Sequence, residues 1–145
     1  MRSLSRFDIL GGYDVLLAVG AIWIGFQMVM MRGGTIFAEP YPESWAMHLP
    51  FVSWVVPGIL AIVSFGFGNL VAAYFCWKKM QNAAFASAFM GAMILVGLGY
   101  QYATVGEMYI VTGPLLLIGL IQLGLSGYVF WRGRVRGYLG NSNVM

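Results

Sequence analysis

Four long apolar runs constrain this chain more than any other feature: about Gly11 to Met31, Phe51 to Trp77, Asn82 to Ala103 and Tyr109 to Trp131. A helix needs about 20 residues, at about 1.5 Å each, to cross a hydrocarbon core, and every run reaches that length. A strand would show alternation of polar and apolar residues, and none is present. Lipid also requires each backbone group to be satisfied within its own segment, which selects helices. The runs are therefore predicted to be four membrane-spanning helices.

Composition agrees. The chain of 145 residues is 60% hydrophobic and 9% charged, with mean hydropathy +0.79. Soluble domains carry about 25% charged residues. The class is an all-α integral membrane protein with one domain. The first run exceeds the roughly 7–15 residues of a signal-peptide core, and Arg32-Gly33-Gly34 after it is no cleavage site. It is read as a retained helix.

Basic residues set the orientation. Arg2 and Arg6 precede the first run, Lys78 and Lys79 join the second to the third, and Arg132, Arg134 and Arg136 follow the fourth. Only Arg32 falls on the other side. The positive-inside rule then puts both termini in the cytoplasm. The net charge of +3 is explained by the membrane, so no nucleic-acid partner is expected. The turns at about 78–81 and 104–108 are tight, which makes the last three helices antiparallel neighbours in an up-down bundle. The connection at 32–50 is the long one, and long loops often carry function. Its stretch from Glu43 to Leu49 is amphipathic and fits a short interfacial helix.

In lipid, helices associate by close packing and interhelical hydrogen bonds. Ala83, Ser87 and Gly91 recur on one face of the third helix, and Ala84, Ala88 and Ala92 on the adjacent face. That pattern predicts a central helix touched on two sides. Pro57 and Pro114 are read as kinks one turn inside the second and fourth helices, and Pro50 as a first-turn proline. Tyrosines and tryptophans form two interfacial belts. Trp23, at mid-helix, is read as packing inside.

Polar residues within a membrane are functional candidates by default. Asn69 and Gln122 lie at similar depth and are expected to bond each other, as ordinary helix–helix glue. Asp14 is placed near the inner surface, as an interfacial or capping residue beside Arg2 or Arg6. A proton-coupled carboxylate is the sharper reading, but Asp14 is counted as too shallow for it. Gln27, Gln101 and Glu107 gather near the outer surface with Glu43 and His48, whose imidazole titrates near neutral pH.

No catalytic motif is present. The lone Cys76 excludes an intrachain disulfide and a CxxC redox pair. The spacing of His48 with Glu39, Glu43 and Glu107 fits no ligand pattern. Neither a metal nor a cofactor is expected.

At "LPFVSWVVPGILAIVSFGFGNLVAAYFCWKK" the chain resembles a loosely defined group of small bacterial four-helix membrane proteins. Pro50, Phe51, Pro57, Gly58, Gly66 and the Lys78–Lys79 turn carry the resemblance, with "GLGYQY" at Gln101. It implies a bacterial source and a multi-pass location in the inner membrane, and it implies no activity.

The functional expectation is a non-catalytic accessory or scaffold subunit, docked to a larger membrane protein or to its own copies. Two alternatives stand beside it. One is a transporter or channel for a small solute, ion or lipid, with its site at the outer helix mouth or along the Asn69–Gln122 layer. The other is a membrane enzyme acting on a lipid or quinone, with His48 and Glu43 as acid and base.

Overall fold

The structure, a computed structural model, describes residues 5–30, 35–36, 39–40, 47, 53–106 and 112–141. Among these residues are four helices long and apolar enough to cross a membrane. They are α1 (Arg6–Met30), α2 (Val55–Trp77), α3 (Ala83–Val105) and α4 (Thr112–Asn141). Between α1 and α2 a minimal antiparallel ladder pairs β1 (Thr35–Ile36) with β2 (Glu39–Pro40). The sequence reading had no strand there. His48, Glu43, Glu107, Pro50 and, apart from Met47, the amphipathic stretch from Glu43 lie outside the described residues.

Helix ends follow capping chemistry rather than the edges of apolar runs. α1 starts at Arg6 because Ser5 and Asp8 cap each other: the Ser5 N–H donates to Asp8 Oδ2 (2.8 Å), and the Asp8 N–H donates to Ser5 Oγ (3.3 Å). α2 starts four residues later than its apolar run, so Pro57 falls in its first turn. The described α4 likewise has Pro114 in its first turn. A first-turn proline removes no ladder hydrogen bond, so the expected kinks give way to well-placed helix starts. α4 runs to Asn141, ten residues beyond the end of the fourth apolar run at Trp131.

The turn after α2 is a Schellman motif. The Lys79 N–H donates to Cys76 O and the Met80 N–H to Phe75 O. Lys79 occupies the left-handed position with φ 52°. α3 ends on Gly106, φ 74°, whose N–H caps Tyr102 O. Glycine adopts that conformation without the steric cost a side chain would bring.

α2 is not uniform. It is α-helical over Val55–Leu60, π-helical over Ala61–Phe67 and α-helical again over Gly68–Trp77. Such wide turns are rare and concentrate at functional sites.

The helices pack as a ring: α1 along α2, α2 against α3, α3 against α4, and α4 back on α1. α3 has two neighbours but is not central, because each of the others has two as well. Its Ala83, Ser87 and Gly91 face is buried, whereas the adjacent face runs from buried Ala84 to exposed Ala92. At the Lys78–Lys79 end, Leu10, Cys76, Ala83, Ala84 and Val129 form an apolar cluster under Phe7, Phe75 and Leu125. Large apolar side chains cover the outside of all four helices, among them Phe26, Val63, Phe85 and Leu117. Trp23 is one of them, 65% exposed. It faces outward, which overturns the inward packing expected from its mid-helix position.

Candidate functional site: a buried polar cluster

Asp14 comes from α1, Asn69 and Cys76 from α2, Ser87 from α3, and Gln122 and Ser126 from α4. All six are buried. Four helices thus send polar groups to one point, and among the described residues the remaining buried polar side chain is Thr112, at the start of α4.

The carboxyl of Asp14 is the hub. Ser87 Oγ lies 2.6 Å from its Oδ1 and 2.7 Å from its Oδ2. Gln122 Nε2 donates to Oδ1 at 2.8 Å. Cys76 Sγ sits 3.8 Å from Oδ2. Gln122 Nε2 also donates to Asn69 Oδ1 at 2.7 Å, and Asn69 Nδ2 donates to Phe65 O at 2.8 Å. That last bond ties the cluster to the π-helical turn, where Phe65 O also accepts the Gly68 N–H. One turn along α4, Ser126 Oγ donates back to Gln122 O. Tyr13, next to Asp14, turns away and donates to Ile118 O at 3.0 Å.

The orientation of Gln122 follows from its neighbours. Its amide nitrogen has two hydrogens, and Asp14 Oδ1 and Asn69 Oδ1 are two acceptors. The reversed amide would set an acceptor against both. The arrangement leaves Gln122 Oε1 buried with no hydrogen-bond partner, at a cost of about 1–3 kcal/mol. The cluster therefore holds the glutamine amide at the expense of its own carbonyl.

The bond expected between Asn69 and Gln122 is present. The placement of Asp14 is corrected: it is neither interfacial nor a cap. Asp8 performs the capping, and Asp14 is 0% exposed. Gln27 and Gln101 are half-buried, and no hydrogen bond joins either to the cluster. Sequence reasoning missed three members. Ser87 was read as a small packing residue, Cys76 was weighed only for redox chemistry, and Ser126 was passed over. The available signal was the placement of Ser87 in an alanine and glycine stripe, where a hydroxyl faces a neighbouring helix. Among the described residues, no three His, Cys, Asp or Glu side chains group as a metal site.

Close backbone approaches frame the cluster. A Cβ on Gly25 would lie 2.5 Å from Gly58 O, and one on Gly58 would lie 2.8 Å from Gly25 O. On the other side of the ring, a Cβ on Gly91 would lie 3.2 Å from Gly119 O.

No family model matches the chain, and no solved structure matches it. It is similar to the NADH-ubiquinone oxidoreductase chain 6 of Latimeria chalumnae, with 31% identity over 130 residues, covering 80% of this chain and 69% of the relative. At that identity and that coverage of both chains, this four-helix membrane protein belongs to the NADH-ubiquinone oxidoreductase chain 6 family.

Proposed function

We propose that the chain is a non-catalytic membrane subunit of a larger assembly of the NADH-ubiquinone oxidoreductase kind. The observation that carries this reading is the similarity to chain 6 of that enzyme. The structure suits the role. Its interior is closed by the polar cluster and the glycine contacts, and its outside is apolar on every helix. Such a surface meets lipid or another membrane subunit equally well.

Antiparallel packing brings Arg6, Lys78, Lys79 and Arg132 to one end of the ring, and by the positive-inside rule that end is cytoplasmic. A bacterial inner membrane with both termini inside belongs to the same proposal, supported by the charge pattern.

Pull-down of the tagged chain from native membranes in a mild detergent tests the reading. It should migrate on native gels with a large complex that stains for NADH oxidation, and its deletion should remove that band. A chain that leaves the membrane as a small homogeneous species, with the band intact in its absence, overturns the proposal.

A transporter or channel is the second reading. The convergence of four helices on Asp14 favours a site along the Asn69–Gln122 layer rather than at the outer mouth, since Gln27 and Gln101 are not joined to the cluster.

A further inference from the structure

We propose that Asp14 is a proton-binding site within the membrane, at which one carboxyl takes up and releases a single proton against the hydroxyl of Ser87. The inference stands on the geometry of this chain alone and does not depend on the assembly it joins.

The argument begins with hydrogen counting. Ser87 Oγ makes two short contacts with the carboxyl, 2.6 and 2.7 Å, yet a hydroxyl owns one proton. A carboxylic acid accounts for both contacts. Oδ2–H donates to Ser87 Oγ while the Ser87 hydroxyl donates to Oδ1, closing a small cyclic pair. Oδ1 is then the carbonyl oxygen, and it accepts from Gln122 Nε2 as well. Oδ2 bears the proton and, besides Ser87 Oγ, faces the weakly donating thiol of Cys76.

The released state is provided for by the same groups. When the Oδ2–H bond breaks and the proton leaves, its bonding electrons stay on the carboxylate. The Ser87 hydroxyl, the Gln122 amide and the Cys76 thiol then all present hydrogens to it. No partner has to change place between the two states. The three partners of Asp14 include no cation, so a proton is the neutralising charge the cluster can take without a rearrangement.

The titratable and charged groups around the site are few. On α1, Tyr13 is committed to Ile118 O, and Asp8 is committed to the Ser5 cap. On α2, Cys76 faces the carboxyl, and Lys78 and Lys79 lie exposed at the turn. α3 and α4 face it with Ser87 and Gln122, neither of which titrates. An alkali cation is disfavoured by the same geometry. It needs several oxygens turned toward it, whereas Gln122 and Cys76 turn hydrogens toward both carboxyl oxygens.

A hydrophobic carbodiimide tests the proposal in native membranes. The protonated carboxyl adds across the N=C=N bond and rearranges to an N-acylurea, with no leaving group, which peptide mass spectrometry locates. The adduct should appear on Asp14, should fall about tenfold per pH unit once the pH exceeds the midpoint, and should not change when sodium replaces choline at constant ionic strength. Asp14→Asn should remove it, and Ser87→Ala should displace the midpoint while leaving the adduct in place. An infrared carboxylic-acid carbonyl band, assigned by its loss in Asp14→Asn, gives a second reading that needs no reagent access. Absence of both adduct and band across the pH series overturns the proposal. Suppression of the adduct by sodium also overturns it, in favour of an alkali-cation site. Labelling of Asp14 reads the same whether or not the chain co-purifies with a larger complex, so the two proposals fail separately.

Discussion

Near the Lys78–Lys79 turn, α1 meets α2 through side chains, with Asp14 beside Cys76 and Leu10 packed in the apolar cluster with Cys76. Toward Met30 the same two helices meet through bare backbone, Gly25 against Gly58. The first region fixes which residues pair, because a slip of one position would strand a buried donor or acceptor. The second fixes how close the helices come, because nothing larger than hydrogen fits between them. In lipid both devices are needed, since burial of apolar surface does little to bring helices together. They differ in how they should fail: loss of contact at the polar end, loss of approach at the glycine end.

The sharpest way to break the comparison is Gly25→Leu. Its Cβ alone would sit 2.5 Å from Gly58 O and 2.6 Å from Ile62 Cγ1. The change should exceed the roughly 1–3 kcal/mol of ordinary overpacking, and the purified chain should show no cooperative thermal transition in mild detergent. Asp14→Leu comes next. It strands the Gln122 amide and the Ser87 hydroxyl, at about 1–3 kcal/mol for each group, read as a lower unfolding midpoint in a denaturing-detergent titration. Asp14→Asn should cost less, because its amide keeps an acceptor oxygen. A double-mutant cycle of Asn69→Leu and Gln122→Leu should give a coupling of about 0.6–1.7 kcal/mol in the same titration, the range found for hydrogen bonds between membrane helices. The smallest effect is expected at Gly12, where an added Cβ meets nothing within 4 Å. Gly12→Ala should be neutral or raise the midpoint by up to about 1 kcal/mol, from helix propensity alone. If Gly12→Ala proved as damaging as Gly25→Leu, the contrast between open and closed glycines would be lost.

The four helices were legible because run length measures hydrocarbon thickness directly. Their ends were not, because an apolar run reports the membrane while a helix obeys its caps. That difference produced the error at Asp14. Depth was counted from Gly11, but the Ser5–Asp8 cap starts α1 at Arg6, five residues earlier, or about 7 Å along the axis. The added length moves Asp14 from the interface into the layer of Asn69 and Gln122. Those two were paired correctly because Asn69 was counted from Trp77, where α2 ends, and Gln122 from Trp131, close to the end at Gly133 of the apolar span of α4, although that helix itself continues to Asn141. Ser87 escaped notice because a serine in an alanine stripe reads as small before it reads as polar, and only its neighbours reveal the difference.

The π-helical segment carries a consequence for register. Gly58 and Gly66 both face α1, the first over Gly25 and Met28, the second over Ile22. In an unbroken α-helix eight steps of about 100° would set them about 80° apart. A wide turn that absorbs one residue leaves seven effective steps, about 700°, and brings them within about 20° of alignment. The segment Ala61–Phe67 therefore behaves as an insertion already accommodated by the helix. Deleting one residue from it should yield a continuous α-helix whose two halves keep their present partners. Such a shortened chain would separate the worth of the wide turn from the worth of the faces it aligns.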